Sequence, residues 1–129
     1  MEQEDIPDDV RRFVLAGIPS VPCLEALLLM HADPGSDWDA PLVARRVYIS
    51  EHEAAEILAY LHRIAVVAAC DGKAGCYRFQ PAHDDLKRTL DRLAATYSSH
   101  LVLITNLIHN KGSRRAQHFA DAFKWRKDR

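Results

Sequence analysis

The sequence predicts a mainly α-helical protein with one small β-hairpin, and three observations support this. Apolar residues recur at intervals of three and four through most of the chain, which is the spacing of helices that bury one face. Residues 71–75, Asp-Gly-Lys-Ala-Gly, separate two β-prone runs and supply the glycines that a hairpin turn needs. The chain has 129 residues, of which 48% are hydrophobic, and this is enough for one compact domain.

Two helices are predicted in the first 32 residues. The first begins at Asp8 or Asp9 and ends near Gly17. Ser20 is the predicted N-cap of the second helix, which carries Pro22 in its first turn. The apolar surface of this second helix is too broad for a surface helix, so we expect it to be the central buried helix.

Two short amphipathic helices separated by a tight turn are predicted next. They cover residues 40–47 and 51–64, and the turn lies at Tyr48. Ser50 with Glu53 three residues later matches a capping box, which satisfies two backbone amides at a helix start. The order is therefore helix, turn, helix and then the hairpin.

The hairpin is predicted from Val66–Cys70 and Cys76–Phe79. A three-residue loop over residues 72–74 would set Cys70 and Cys76 opposite one another, whereas a two- or four-residue loop would offset them. A functional interpretation is a redox switch. The alternative is two small, half-buried residues in a strand pair.

A long C-terminal helix is predicted from Asp84 or Asp85 to about Asn110, which makes it roughly 40 Å long. It outruns a compact core of about 25–30 Å, so part of its apolar stripe needs another surface. A second subunit would provide one, although the first or last helix of the same subunit is an alternative. A final short helix is predicted after Ser113. We therefore predict a homodimer, with these candidate contact residues: Leu93, Tyr97, Leu101, Ile104, Leu107, Phe119, Phe123 and Trp125.

These elements divide the chain into residues 1–82, which hold the helices and the hairpin, and residues 83–129, a C-terminal helical extension for packing or dimerisation. We expect the two parts to form one compact domain overall.

Residues 38–81 have the helix, turn, helix and two-stranded wing of a winged helix, and resemble the bacterial winged helix-turn-helix transcriptional regulators, notably the MarR-like and related groups. The whole chain is also similar to small uncharacterised proteobacterial proteins that end like Phe119-Ala120-Asp121-Ala122-Phe123. The resemblance implies a dimer that binds double-stranded operator DNA. Residues 50–63 would be the recognition helix and residues 73–78 the wing.

The implied DNA contacts follow from the way helix-turn-helix proteins bind. The first residues of the recognition helix contact base edges, and nearby cations neutralise phosphates. The candidate DNA-binding residues are Arg45, Arg46, Ser50, His52, Glu53, Glu56, Tyr60, Arg63, Lys73 and Arg78.

A second class of function stays open because the recognition helix holds three glutamates against one arginine. Carboxylates that face phosphates are repelled unless cations overcompensate. The alternative is a winged-helix protein-interaction module, in which Glu53, Glu56 and Tyr60 contact a basic or apolar partner surface.

Composition, charge and motifs argue against three other classes of protein, namely membrane proteins, enzymes and metal-binding proteins. The formal net charge is -1, although residues 111–129 carry seven Lys/Arg against two Asp. An acidic start and short apolar runs predict a cytoplasmic protein that neither enters nor spans a membrane. No catalytic motif appears, so we expect no enzyme. None of the seven histidines pairs at i, i+4 and the three cysteines lack C-x-x-C spacing, so we expect no metal and no cofactor.

Overall fold

The computed structural model describes residues 6–110, and this part of the chain is mainly helical with a small two-stranded antiparallel sheet. The predicted mainly α class with one hairpin is therefore confirmed. The elements are α1 (Asp8–Gly17), α2 (Val21–His31), α3 (Ala40–Val47), α4 (Glu51–Arg63), β1 (Val67–Ala69), β2 (Tyr77–Phe79) and α5 (Asp84–Ser99). A further helix, α6, occupies residues 101–110.

Side-chain caps start three of these helices, and two of the caps, Ser20 and Ser50, lie where the sequence predicts them. Ser20 Oγ accepts a hydrogen bond from the Cys23 amide at α2, at 3.3 Å. Ser50 Oγ accepts from the Glu53 amide at α4, at 3.0 Å, which is the first half of the predicted capping box. Asp39 Oδ1 caps α3 in the same way.

The turn between α3 and α4 depends on one residue in the left-handed region. Tyr48 has φ 66° and ψ 50°, and the Ile49 amide donates to the Ala44 carbonyl at 3.1 Å. This is the hydrogen bond that closes a Schellman motif, where glycine is the usual residue. The Tyr48 side chain is 91% exposed. The chain thus reverses sharply and brings α4 against α3.

The hairpin pairs Val67 with Phe79 and Ala69 with Tyr77. A third segment extends it, because Trp38 exchanges two backbone hydrogen bonds with Tyr77, at 2.7 and 2.8 Å. The sequence analysis did not predict this bridge. It fixes the residues just before α3 against the second strand of the hairpin.

The core is continuous across the helices and the hairpin. As predicted, α2 is the central buried helix, and it packs against α3, α4, α5 and β2. Fully buried side chains include Leu24 and Leu27 from α2, Leu58 and Leu61 from α4, and Leu90 from α5. The outward face of α4 is thereby left on the surface.

The prediction of one long C-terminal helix is wrong, because this segment forms two helices that are separated at His100. The hydroxyls of Ser98 and Ser99 donate to the backbone carbonyls three residues earlier, at 2.9 and 3.3 Å. Serine side chains that bond to the backbone in this way compete with helical geometry and bend helices. After the break, Ile104 and Ile108 are buried in the same core as α5.

The break removes the length argument for a dimer. The 16 residues of α5 span about 24 Å, which a core of this size accommodates. The predicted final helix after Ser113 lies outside the described residues.

Candidate functional site

The outward face of α4 is acidic at its start. Glu51, His52, Glu53 and Glu56 are exposed there, because the inward positions of the helix are taken by the apolar residues of the core. His52 Nε2 lies 3.3 Å from a carboxylate oxygen of Glu56, one turn further along the helix. The structure therefore brings three predicted site residues, His52, Glu53 and Glu56, to one surface.

A groove of about 440 Å³ lies between the start of α2 and the outward side of α4. Glu53, Glu56 and Arg63 line it together with Ile57 and Pro19. Ile57 is mostly buried, so the groove combines an apolar base with charged, exposed side chains. The sequence did not reveal this groove, since the start of α2 is thirty residues away from the start of α4 in the chain.

Tyr60 lines the groove, and its hydroxyl is hydrogen-bonded to another helix of the same chain. Its hydroxyl donates to the Gly17 carbonyl at 2.5 Å, which joins α4 to the end of α1. Burial raises the pKa of the Tyr60 hydroxyl, and the neighbouring Cys23 adds to this increase. Arg63 lies over the Tyr60 ring, 5.5 Å from its centroid. Tyr60 therefore presents its ring to the groove while its hydroxyl is engaged within the chain.

Ser50 has a structural role that limits its availability. Its hydroxyl oxygen holds the Glu53 amide at the start of α4. A residue that caps a helix in this way stabilises it by about 1 kcal/mol. Ser50 therefore has a role in folding, and its contact with DNA stays a prediction.

The candidate cations differ in the contacts that they make within the protein. Arg78 forms an ion pair with Asp37, with Nη2 and Nε at 2.5 and 2.9 Å from Oδ1. The Arg46 guanidinium lies 5.8 Å from the centroid of the buried Trp38 ring. Arg45 and Lys73 are exposed, the first in the last turn of α3 and the second in the hairpin loop.

The candidate dimer contacts divide into three groups. Leu93 and Ile104 are fully buried within the described chain, so their apolar surface is already covered by their own subunit. Leu101 is 49% exposed, while Tyr97 and Leu107 are half-buried. Phe119, Phe123 and Trp125 lie outside the described residues. The homodimer stays a prediction, and Leu93 and Ile104 are reassigned to the core.

The two hairpin cysteines face each other, which is the arrangement that a three-residue loop would give among the loop lengths that the sequence left open. The Cys70 amide donates to the Cys76 carbonyl at 2.9 Å, and the Cα atoms are 5.3 Å apart. A disulfide joins the two side chains. The Asp37 carboxylate lies beside this pair, and its nearest oxygen and the two sulfurs are all within 4.8 Å of one another. Sequence analysis predicted no metal site and missed this group.

A second surface joins α2 to α5. Asp91 accepts from His31 Nε2 at 2.8 Å and from Lys87 Nζ at 3.1 Å. The hydrogen bond from His31, followed by the one from Lys87, lowers the pKa of the Asp91 carboxyl. These contacts hold the end of α2 against α5 and suggest no chemistry of their own.

Comparisons with protein-family models, with curated proteins and with solved structures find no match for this chain. Among residues 6–110, no helix combines the length and the apolar character needed to cross a membrane.

Proposed function

We propose that α2 to β2 form a winged helix that acts as a protein-interaction module and binds a basic, partly apolar segment of a partner protein. The order of elements supports the winged helix. α3 and α4 pack together across the Tyr48 turn, and the hairpin follows directly. The bridge from Trp38 to Tyr77 adds a short third strand to this hairpin, as in a winged helix.

The observation that carries the interaction proposal is the acidic groove on α4. Glu53 and Glu56 line it, and Glu51 is exposed one turn before Glu56. Its volume of about 440 Å³ is in the range of pockets that hold a few side chains. An apolar side chain buried there would contribute about 1.5–3 kcal/mol, and each surface ion pair up to about 1 kcal/mol. Apolar contact would supply most of the affinity and the carboxylates would select basic partners.

DNA fits this surface less well. Of the predicted cations, Arg78 is paired with Asp37, and Arg46 and Arg63 lie over aromatic rings. Strong DNA sites neutralise about six to ten phosphates. Arg45 and Lys73 supply two contacts per subunit, and the exposed Arg46 and Arg63 add at most two more, which stays below this number while the carboxylates of α4 oppose them.

The interaction proposal is tested with a defined probe. A fluorescent amphipathic peptide with one face of Lys and one face of Leu is mixed with increasing amounts of the full-length protein. The charge-inverted control is a peptide in which Glu replaces Lys. We expect binding of the Lys/Leu peptide alone, and we expect Glu53→Lys with Glu56→Lys to weaken it at least about 10-fold, which corresponds to 1.4 kcal/mol.

The matched pair is Glu56→Lys and Glu51→Lys, which make the same charge change on the same helix, the first inside the groove and the second outside it. We expect Glu51→Lys to lose much less affinity than Glu56→Lys. Equal losses in both would show that bulk charge, rather than the groove, attracts the peptide, and the proposal would fail.

The second candidate is a homodimeric DNA-binding regulator. Exposed Arg45 and Lys73, which lie before and after α4 in the chain, favour it, since a dimer would double their number. The test replaces Arg45, Arg46, Lys73 and Arg78 with alanine and measures a gel shift with duplex DNA at low salt. Tight binding by the parent that the variant loses would support the regulator and count against the protein-interaction module.

A further inference from the structure

One face of the hairpin brings three potential metal ligands together, of which Asp37 is exposed, Cys70 is half-buried and Cys76 is buried. Side chains alternate between the two faces of a strand, so Cys76 and Arg78 share one face of the β2 segment. Cys70 lies opposite Cys76 on this face. The Trp38 bridge then sets Asp37 beside Arg78, where the two form their ion pair. This face does not belong to the α4 groove.

We propose that the reduced hairpin binds a thiophilic divalent cation, such as Zn²⁺, through Cys70 Sγ, Cys76 Sγ and a carboxylate oxygen of Asp37. These three atoms already lie within 4.8 Å of one another. Zinc–sulfur distances of about 2.3 Å and zinc–oxygen distances of about 2.0–2.2 Å require ligand atoms roughly 3.5–4 Å apart. Opening the disulfide and small side-chain rotations achieve this without moving the strands.

The site depends on the oxidation state of the two cysteines. A dithiol reductant donates two electrons and two protons to the disulfide, gives two thiols and is itself oxidised to a disulfide. The cation then displaces the two thiol protons, because thiolates are the metal ligands. Water fills the fourth position. The oxidised hairpin has no thiolates and binds no cation.

Arg78 balances the charge of the metal site. Two thiolates and one carboxylate carry three negative charges, and a divalent cation leaves one of them uncompensated. The Arg78 guanidinium, 2.5 Å from Asp37, offsets this remaining charge from outside the ligand set. In the oxidised protein the same guanidinium is the only cation that Asp37 pairs with among the described residues.

The hairpin is therefore closed in both states, by a disulfide or by a metal ion. Both closures keep Cys70 and Cys76 together and fix the loop that contains Lys73. The redox state would decide which of the two is present.

The test is a cadmium titration of the untagged, full-length protein. The protein is reduced with dithiothreitol, freed of reductant under anaerobic conditions and titrated with Cd²⁺ alone. Thiolate coordination is followed by its ultraviolet charge-transfer absorption, which histidine or carboxylate binding does not produce. We expect one Cd²⁺ per chain, release of two protons, displacement by Zn²⁺, and no such absorption with the oxidised protein.

Variants separate the ligands from their neighbours. Asp37→Ala should weaken Cd²⁺ binding at least about 10-fold, since even outer groups of metal sites contribute that much. Asp71→Ala is the matched control. It also removes one exposed carboxylate, which is next to Cys70 in the sequence but does not belong to the cluster. Cys23→Ala should leave the stoichiometry unchanged.

Two results would overturn the proposal. One is the absence of stoichiometric thiolate absorption in the reduced protein. The other is an equal affinity in the Asp37→Ala and Asp71→Ala variants, which would remove Asp37 from the ligand set. Both readouts come from chains that retain the two cysteines, namely the parent protein and the two carboxylate variants, and all of them are compared in the same reduced state.

Discussion

Replacing Ile104 with alanine tests whether α6 packs on its own subunit. Ile104 is 0% exposed and belongs to the core formed by the other helices. The substitution removes three buried carbons, which cost about 2.4 kcal/mol at roughly 0.8 kcal/mol each. A cavity that does not collapse adds up to about 2 kcal/mol. We expect the free energy of unfolding to fall by about 2.5–4.5 kcal/mol.

The assay is equilibrium unfolding in urea, followed by circular dichroism. With a slope of about 1.5 kcal/mol per molar urea, the expected loss lowers the midpoint by roughly 1.5–3 M. The control is Val102→Ala, two residues away in the same helix, where the side chain is 67% exposed. We expect this control to change stability by no more than about 0.5 kcal/mol.

Protein concentration distinguishes the core from a dimer interface. A contact within one subunit gives the same loss at all protein concentrations, whereas a contact between subunits makes the loss concentration-dependent. Equal, small losses for Ile104→Ala and Val102→Ala would refute the packing of α6 described above. A loss for Ile104→Ala that varies with concentration would return this residue to the predicted dimer interface.

Three further predictions concern single contacts. Tyr60→Phe removes the hydrogen bond to the Gly17 carbonyl and should cost about 0.5–1.5 kcal/mol in urea unfolding; no loss would mean that the bond does not form. Tyr48→Gly relieves a left-handed residue and should raise the thermal midpoint by a few degrees, since strain of this kind costs about 1 kcal/mol; a lower midpoint would contradict it. The pKa of Asp91 is lowered in the folded state, so its pairing with His31 stabilises the fold above pH 3.8 and this contribution is lost as pH falls through the lowered pKa. Asp91→Asn should flatten the acid side of a thermal-midpoint profile, and an unchanged profile would exclude the contribution.

Local sequence signals predicted the helix starts well. Ser20 and Ser50 each cap a helix in the structure as predicted, because a cap depends on residues only three positions apart. The opposition of the two hairpin cysteines depended on a loop length that the sequence left open, whereas the buried face of α4 followed from the same short-range spacing as the caps. These parts of the fold need no knowledge of distant residues.

Long-range pairing was not predictable in the same way. The Trp38 bridge joins residues 39 positions apart, and no periodic pattern marks a single bridging residue. Asp37 therefore gave no sign that it lies beside the two cysteines. The groove was missed for the same reason, since α2 and α4 form it together.

The break at His100 shows where the helical pattern misled. Apolar residues continue at intervals of three and four across the break, so the spacing alone predicts one helix. The hydroxyls of Ser98 and Ser99 bend the chain there, and the core covers Ile104 afterwards. A pair of serines within a predicted helix is therefore a candidate position for a bend.

The proposed function requires that α4 presents an acidic groove to a basic protein segment and not to DNA. The most direct measurement is a pair of separate titrations of the labelled full-length protein at one salt concentration. One titration uses the Lys/Leu peptide and the other uses duplex DNA without peptide, because the basic peptide itself would bind the DNA. We expect the protein to bind the peptide and to show no DNA binding tighter than about 100 µM, the weak end of non-specific affinity. Sub-micromolar binding of DNA by the protein alone, lost on replacing Arg45 and Arg46 with alanine, would contradict the claim.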